Sequence, residues 1–184
     1  RQAAISLGQI GRHEAAAPLA QLAGKLMADP KLNIEQQRNM NAAIEQAFVA
    51  CARLGEKSAL ASCREVLPKK MTYPSNVRAA AAYAIGLMGD PADNSIPRMM
   101  GGIIRDQLES GDVQFECVKA LGHLKSKTAM SVVGTSREKS AFGGDPVSDW
   151  LCYWVRWRVT GKQEPLTPLI QGWEAEVSVA SLAR

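Results

Sequence analysis

The stretch VRAAAAYAIGLMGDP, residues 77–91, decides the fold of this chain. Alanine, the strongest helix former, fills much of it, and nothing interrupts a helix before Gly89. Gly89 can take the left-handed conformation that closes a helix, and Pro91 cannot prolong it. Its apolar side chains repeat with a helical period and form one stripe: Val77, Ala81, Ile85 and Met88. The pattern predicts a helix whose small residues let a neighbouring helix approach closely.

Weaker copies of this stretch lie on both sides of it. The residues in the position of Gly89 are spaced by 44, 34, 36 and 36 residues: Gly11, Gly55, Gly89, Lys125 and Gly161. A proline follows three of them after seven or eight residues: Pro18, Pro97 and Pro168. In the third copy we expect a second helix capped by Asn94 or Ser95. A fixed period of this length predicts a solenoid of about five helix pairs, at residues 1–28, 34–67, 76–107, 112–137 and 148–173.

The third copy resembles the first helix of a short HEAT repeat, of the kind found in phycobilin lyase subunits, at Val77, Arg78, Ala80, Ala81, Ala84, Ile85, Gly86, Met88, Gly89, Asp90 and Pro91. The resemblance is strongest at residues 77–107, extends to 1–28 and 112–135, and is weaker at 34–67 and 148–173. It implies an all-α fold, a right-handed α-solenoid or ARM-like superhelix, with the second helices lining its concave side. It implies no particular activity, because such repeats serve many unrelated functions.

Length and composition suit a single domain of this kind over residues 1–184. The chain of 184 residues accommodates five helix pairs, and its 46% hydrophobic residues include few aromatics, as a core of small and aliphatic side chains requires. No apolar run approaches the roughly 18 residues that cross a bilayer. Arg1 already lies inside the first copy, so we expect the chain to be a fragment of a longer protein.

The four cysteines lack the spacing of a zinc site or of a disulfide framework: Cys51, Cys63, Cys117 and Cys152. Cys51 aligns with Ile85, and Cys117 aligns with Ala81. We therefore expect buried thiols, which favour a reducing compartment such as the cytoplasm.

The dipeptide His13-Glu14 is similar to the His-Glu pairs that bind two irons in deoxyhypusine hydroxylase, another HEAT-like protein. It occurs once here, and His123 is the only other histidine. A di-iron centre needs more ligands than these residues provide. We expect no metal and no other cofactor.

The fifth copy has aromatic side chains in place of small ones. Four of them share one helix face: Trp150, Tyr153, Trp154 and Trp157. Tyr153 and Trp157 occupy the positions of Ala81 and Ile85. We expect the rings to fill the end of the solenoid beneath residues 173–184, and the alternative is a docking surface.

Two further features bear on packing and on loops. Gly101 and Gly102 lie inside the predicted second helix of the third copy and indicate tight helix packing or, alternatively, close approach by a partner. Residues 136–148 form the longest predicted connection, because two glycines and Asp145-Pro146 interrupt it.

The charge of the chain is unevenly distributed. Residues 119–162 contain eight basic and three acidic side chains, a net charge of +5, and the remainder sums to −1. A basic region beside tryptophans can bind phosphates and stack bases, as in HEAT-like DNA glycosylases. The basic residues fall on both helices of a pair, however, which favours a mixed, solvated surface.

The sequence thus predicts a non-catalytic protein–protein interaction scaffold, since stacked repeats form an extended surface and no catalytic constellation is apparent. The alternatives are a nucleic-acid-binding module that uses residues 119–162 and an enzyme subunit of the phycobilin-lyase type. The candidate partner-binding residues are Arg98, Arg105, Lys127, Arg156, Arg158, Trp150, Trp154 and Trp173.

Overall fold

The computed structural model describes residues 5–6, 14, 16–27, 33–139 and 146–162. This part of the chain contains eight α-helices, a short 3-10 turn and no strand, so the all-α prediction is confirmed. The elements are α1 (Ala16–Met27), α2 (Ile34–Leu54), the 3-10 turn Lys57–Ala59, α3 (Leu60–Val66), α4 (Ser75–Met88), α5 (Ser95–Arg105), α6 (Gly111–Leu124), α7 (Lys127–Lys139) and α8 (Pro146–Thr160). None of these helices is both long and apolar enough to cross a membrane.

The helices contact one another in a regular order. The first helices of successive copies, α2, α4, α6 and α8, touch in succession, and the contact between α4 and α6 is the most extensive. We call these four helices the first-helix row. The second helices lie against them: α1 against α2, α3 against α4, and α5 against α6. The helix α7 contacts both α5 and α8.

Small residues permit the close contact between α4 and α6. Four side chains on the facing stripes of these two helices are fully enclosed: Ala81, Ile85, Cys117 and Leu121. A Cβ atom at Gly86 would lie 2.5 Å from the Cα atom of Ala120, so the two backbones leave no room for a side chain. Gly101 packs in the same manner, because its Cβ would lie 2.9 Å from Val132. Gly102 faces open space, so tight packing accounts for only one glycine of the pair.

All four cysteines are buried thiols. Burial, with the nearby carboxylate of Glu56, raises the pKa of Cys51 to about 11. Burial likewise raises the pKa of the Cys63 and Cys117 thiols. These side chains act as small apolar residues at the helix contacts, as the alignment with Ile85 and Ala81 predicts.

We call the alignment of the copies on Gly11, Gly55, Gly89, Lys125 and Gly161 the frame. The described helix ends follow it, with one correction. Gly55 and Gly161 close their helices in the left-handed region, at φ of 70° and 69°, and Lys125 does the same at 54°. Gly89 does not: its φ of −65° and ψ of 155° are extended. A side chain at Gly89 would meet the carbonyl oxygen of Ile85 at 2.6 Å, so glycine is required there for space and not for handedness.

The start of α5 also differs from the prediction. Asn94 occupies the cap position, yet its side chain accepts no hydrogen bond from the helix backbone. Its Oδ1 atom accepts a hydrogen bond from the Thr128 hydroxyl of α7 instead. Asp93 takes over the capping role, because its Oδ1 accepts a bond of 2.9 Å from the Ser95 backbone amide.

In α4 and α6, one position of the frame joins the helix to the preceding second helix. Arg78 Nε donates a 2.7 Å hydrogen bond to the carbonyl of Leu67, just beyond α3. Gln114, 36 residues later, donates bonds of 3.1 and 2.8 Å to the carbonyls of Ile104 and Asp106 at the end of α5. Both side chains are buried, and both satisfy carbonyls that a helix end leaves without partners.

The predicted boundaries hold less well toward the C-terminus. The helix α7 continues to Lys139 and α8 begins at Pro146, so helices occupy both ends of the predicted connection 136–148. Residues 140–145 lie outside the described part, as do Gly11, His13, Pro168 and the segment 173–184 that we expect to cover the aromatic face.

Candidate interaction groove

An open groove runs across three consecutive members of the first-helix row. It encloses about 530 Å³ and is lined by Glu45, Val49 and Arg53 of α2, Asn76, Ala79, Ala80 and Tyr83 of α4, and Asp112, Phe115, Glu116 and Lys119 of α6. The helix α4 supplies the middle and its two neighbours supply the sides. A depression arises here because the alanines of α4 are shorter than the side chains beside them.

The groove has an apolar strip along its middle. Ala79 and Ala80 leave room above the α4 backbone, and the rings of Tyr83 and Phe115 are half-buried. Phe115 of α6 stands 36 residues after Ala79, so a small side chain and a large one occupy equivalent positions. This alternation produces a surface that can receive an apolar side chain.

Carboxylates and cations lie at the sides of the groove. Glu45 accepts a hydrogen bond from the Asn76 amide, which joins α2 to α4. Lys119 Nζ lies 2.6 Å from Glu116 Oε1 and 5.5 Å from the centre of the Phe115 ring. Glu116 Oε2 is buried and has no hydrogen-bond partner among the described residues. Three carboxylates and two cations give the lining a net charge of −1.

A series of rings continues from the groove toward α8. Tyr83 and His123 meet edge to face with 6.4 Å between ring centres, and His123 meets Trp154 in the same way at 5.3 Å. Arg158 lies over the Trp154 ring at 5.7 Å. Burial, followed by the positive charges of Arg158 and Lys119, lowers the pKa of His123. The histidine is therefore held neutral at pH 7 and packs as an aromatic ring.

The aromatic face of α8 divides between the interior and the solvent. The Trp154 ring lies directly against Gly122 of α6, where a Cβ atom would overlap it. Trp150 is 40% exposed, and Tyr153 and Trp157 are half-buried. The enclosed face of α8 is formed instead by Leu151, Cys152 and Val155. Of the four stripe residues, Trp154 is thus the one that fills a space left by a glycine.

The candidate residues from the sequence fall into two separate groups. Arg98 and Arg105 are exposed on α5, and Lys127 is exposed at the start of α7. Trp150, Trp154, Arg156 and Arg158 belong to α8, and Trp173 lies outside the described residues. None of the described candidates lines the groove. They remain predictions.

Sequence reasoning missed the residues that do line the groove. The predicted stripe is the buried side of each first helix, and the groove lies along the opposite side. On that side, Val49, Tyr83 and Lys119 occupy equivalent positions of successive copies. Ala79 and Phe115 are likewise equivalent. The change from the small Ala79 to the aromatic Phe115 at equivalent positions was the sequence signal that could have indicated the groove.

Among the described residues, no three histidine, cysteine, aspartate or glutamate side chains are grouped so that they could hold a metal ion. No protein-family model, curated protein or solved structure matches this chain.

Proposed function

We propose that the chain is a non-catalytic protein–protein interaction scaffold built as a right-handed solenoid of HEAT-like helix pairs. The observation that carries this proposal is the groove across α2, α4 and α6. A surface that combines an apolar strip with charged sides suits a peptide segment, which presents apolar and charged side chains together. The successive contacts of the first-helix row support the solenoid, because each copy touches mainly its neighbours.

The groove lies on the first helices, whereas the HEAT resemblance places the concave side on the second helices. The proposed binding surface therefore lies on the first helices, where the resemblance alone predicts no concave surface. Its position follows from the short side chains of α4 between longer ones of α2 and α6.

Nucleic-acid binding remains the alternative proposal, and the groove does not favour it. Lys119, the one groove cation within the basic region 119–162, is already paired with Glu116. Three carboxylates on the same surface would repel a phosphate backbone. The enzyme-subunit alternative predicts that the chain acts on a small molecule. It is distinguished from the scaffold by its ligand, which would be a small molecule and not a protein.

Site-specific photo-crosslinking tests the proposed function. A photoreactive amino acid replaces Ala79 in the groove of the intact protein, and a matched one replaces Glu65, which is exposed on α3. In an extract of the source organism we expect a discrete protein adduct from position 79 and none from position 65. Adducts removed by nuclease, or equal labelling from both positions, would contradict the scaffold.

A further inference from the structure

The half-buried ring of His123 lies at the contact between α6 and α8. It meets the Trp154 ring of α8 edge to face, with 5.3 Å between ring centres, and it meets the Tyr83 ring of α4 in the same way at 6.4 Å. Its neighbour in the chain, Gly122, leaves no room for a Cβ atom because the Trp154 ring fills that space. The histidine therefore touches the ring by which α8 packs on α6.

Two cations surround His123, and one of them has no counter-charge. Lys119 lies one turn before the histidine on α6, and it is paired with Glu116 at 2.6 Å. Arg158 lies over the same Trp154 ring, 5.7 Å from its centre. It forms no ion pair with any described residue, and its Nε atom is buried without an acceptor. Among these charged groups, only Glu116 favours a proton on the histidine, and its own charge is already matched by Lys119.

The neutral imidazole packs among these groups as an uncharged ring. When it takes a proton from the solvent, it becomes a cation that has lost part of its hydration and lies near the unpaired guanidinium of Arg158. Burial, followed by the charges of Arg158 and Lys119, accordingly lowers the pKa of His123 in the folded chain.

The sign of the resulting pH dependence follows from the unfolded chain, in which the pKa of histidine is about 6.5. Below this value the unfolded chain binds a proton that the folded chain resists. The stability gained from the neutral ring is therefore complete above about pH 6.5, and it is lost as pH falls toward the lower folded pKa.

We propose that the contact of His123 with Trp154 is a pH-sensitive switch, in which protonation of the histidine on mild acidification weakens the packing of α8 on α6. The helix α8 is suited to respond, because its main contact within the first-helix row is with α6 alone. Its separation from α6 uncovers the Trp154 ring and the surface at Gly122. The contacts among α2, α4 and α6 stay in place, and the switch does not depend on the proposed scaffold function.

Hydrogen exchange of the full chain, read by mass spectrometry, tests the proposal. Exchange is compared at about pH 7.5 and about pH 5.5, the range in which histidine changes its charge, and is corrected for the intrinsic pH dependence of amide exchange. We expect the corrected exchange of α8 to be several-fold faster at the lower pH, and that of α2 and α4 to be unchanged. No change in α8, or an equal change along the whole row, would overturn the proposal.

Matched variants assign the effect to His123. His123→Phe keeps a ring against Trp154 that cannot be protonated, and its α8 should exchange equally at both pH values. Arg158→Gln removes the unpaired cation and should reduce the acid effect, whereas Arg98→Gln removes an exposed arginine of α5 and should preserve it. An acid effect as large in His123→Phe as in the parent chain would contradict the proposal.

A titration of the unaltered chain gives a second test that needs no variant at position 123. NMR follows the imidazole resonances as pH is lowered, and His13→Gln identifies the signal of His123, since the chain has two histidines. We expect His123 to titrate below about pH 6.5, over the same range in which α8 exchange increases. A midpoint at or above that value, or exchange that increases in a different range, would sink the switch.

Discussion

The helices α4 and α6 are copies of one pattern, 36 residues apart, and they fill the same positions with different chemistry. Arg78 of α4 and Gln114 of α6 each donate to the carbonyl end of the preceding helix. Only the arginine has a counter-charge: its guanidinium bonds both oxygens of Glu109, at 2.7 and 2.5 Å. The difference shows that this position requires a hydrogen-bond donor and not a charge. When the donor is charged, as in Arg78, it also requires a buried counter-charge, which Glu109 supplies.

The largest expected effect comes from removing that counter-charge. Glu109→Ala leaves the Arg78 guanidinium buried without its partner, and we expect a loss of about 3–5 kcal/mol in the free energy of unfolding. Urea denaturation followed by circular dichroism measures it. The exposed pair of Glu65 with Lys69 is the control, since Glu65→Ala should leave stability nearly unchanged.

A second substitution sharpens the comparison with α6. In the Glu109→Ala background, Arg78→Gln copies the neutral donor of α6, and we expect it to recover part of the lost stability. If the double variant is less stable than Glu109→Ala alone, then the two positions are not equivalent.

The same ion pair makes stability depend on pH. Burial opposes ionisation of Glu109, but the hydrogen bonds from Arg78 and from the Ser110 amide outweigh it and lower its pKa. Its contribution is complete above the unfolded pKa of glutamate, about 4.3, and disappears as pH falls through the lower folded value. Urea denaturation from pH 6 downward should therefore show a smaller acid-induced loss in Glu109→Ala than in the parent protein. Parallel losses would contradict this account.

Gly86 and Gly122 occupy equivalent positions and face different neighbours. A methyl group at Gly86 meets the backbone of Ala120, which cannot move alone, whereas one at Gly122 meets the side chain of Trp154. We expect Gly86→Ala to cost about 1–3 kcal/mol, and Gly122→Ala to cost less and to change the tryptophan fluorescence. Thermal melting of the two variants decides the order, and the reverse order would refute the packing argument.

The smallest expected effect is a gain in stability. Lys125 ends α6 in the left-handed region that Gly55 uses to end α2. Lys125→Gly removes a conformational strain of about 1 kcal/mol, of which part is lost again to the greater freedom of glycine in the unfolded chain. A melting temperature that rises for Lys125→Gly and falls for Gly55→Ala is the expected result. A fall in both would show that the lysine side chain has another stabilising role.

The helices and their buried stripes could be predicted from the sequence because they depend on local pattern: alanine content, helical spacing and glycine at helix ends. Ala81 and Ile85, both fully buried, illustrate this success. The conformation of Gly89 could not be predicted, since the contacts that exclude a side chain there come from Ile96 and Leu124 as well as from its own helix. The groove was missed for a similar reason. It depends on the relative lengths of side chains on three helices, and a single helix carries no sign of it.

The buried thiols make the protein a reporter of its own local opening. A cysteine with a raised pKa reacts with an alkylating reagent only when its surroundings open and the thiolate can form. The four thiols lie on α2, α3, α6 and α8, so each reports on a different helix. Their alkylation rates under native conditions, resolved by mass spectrometry, would rank these helices by opening free energy without any added probe.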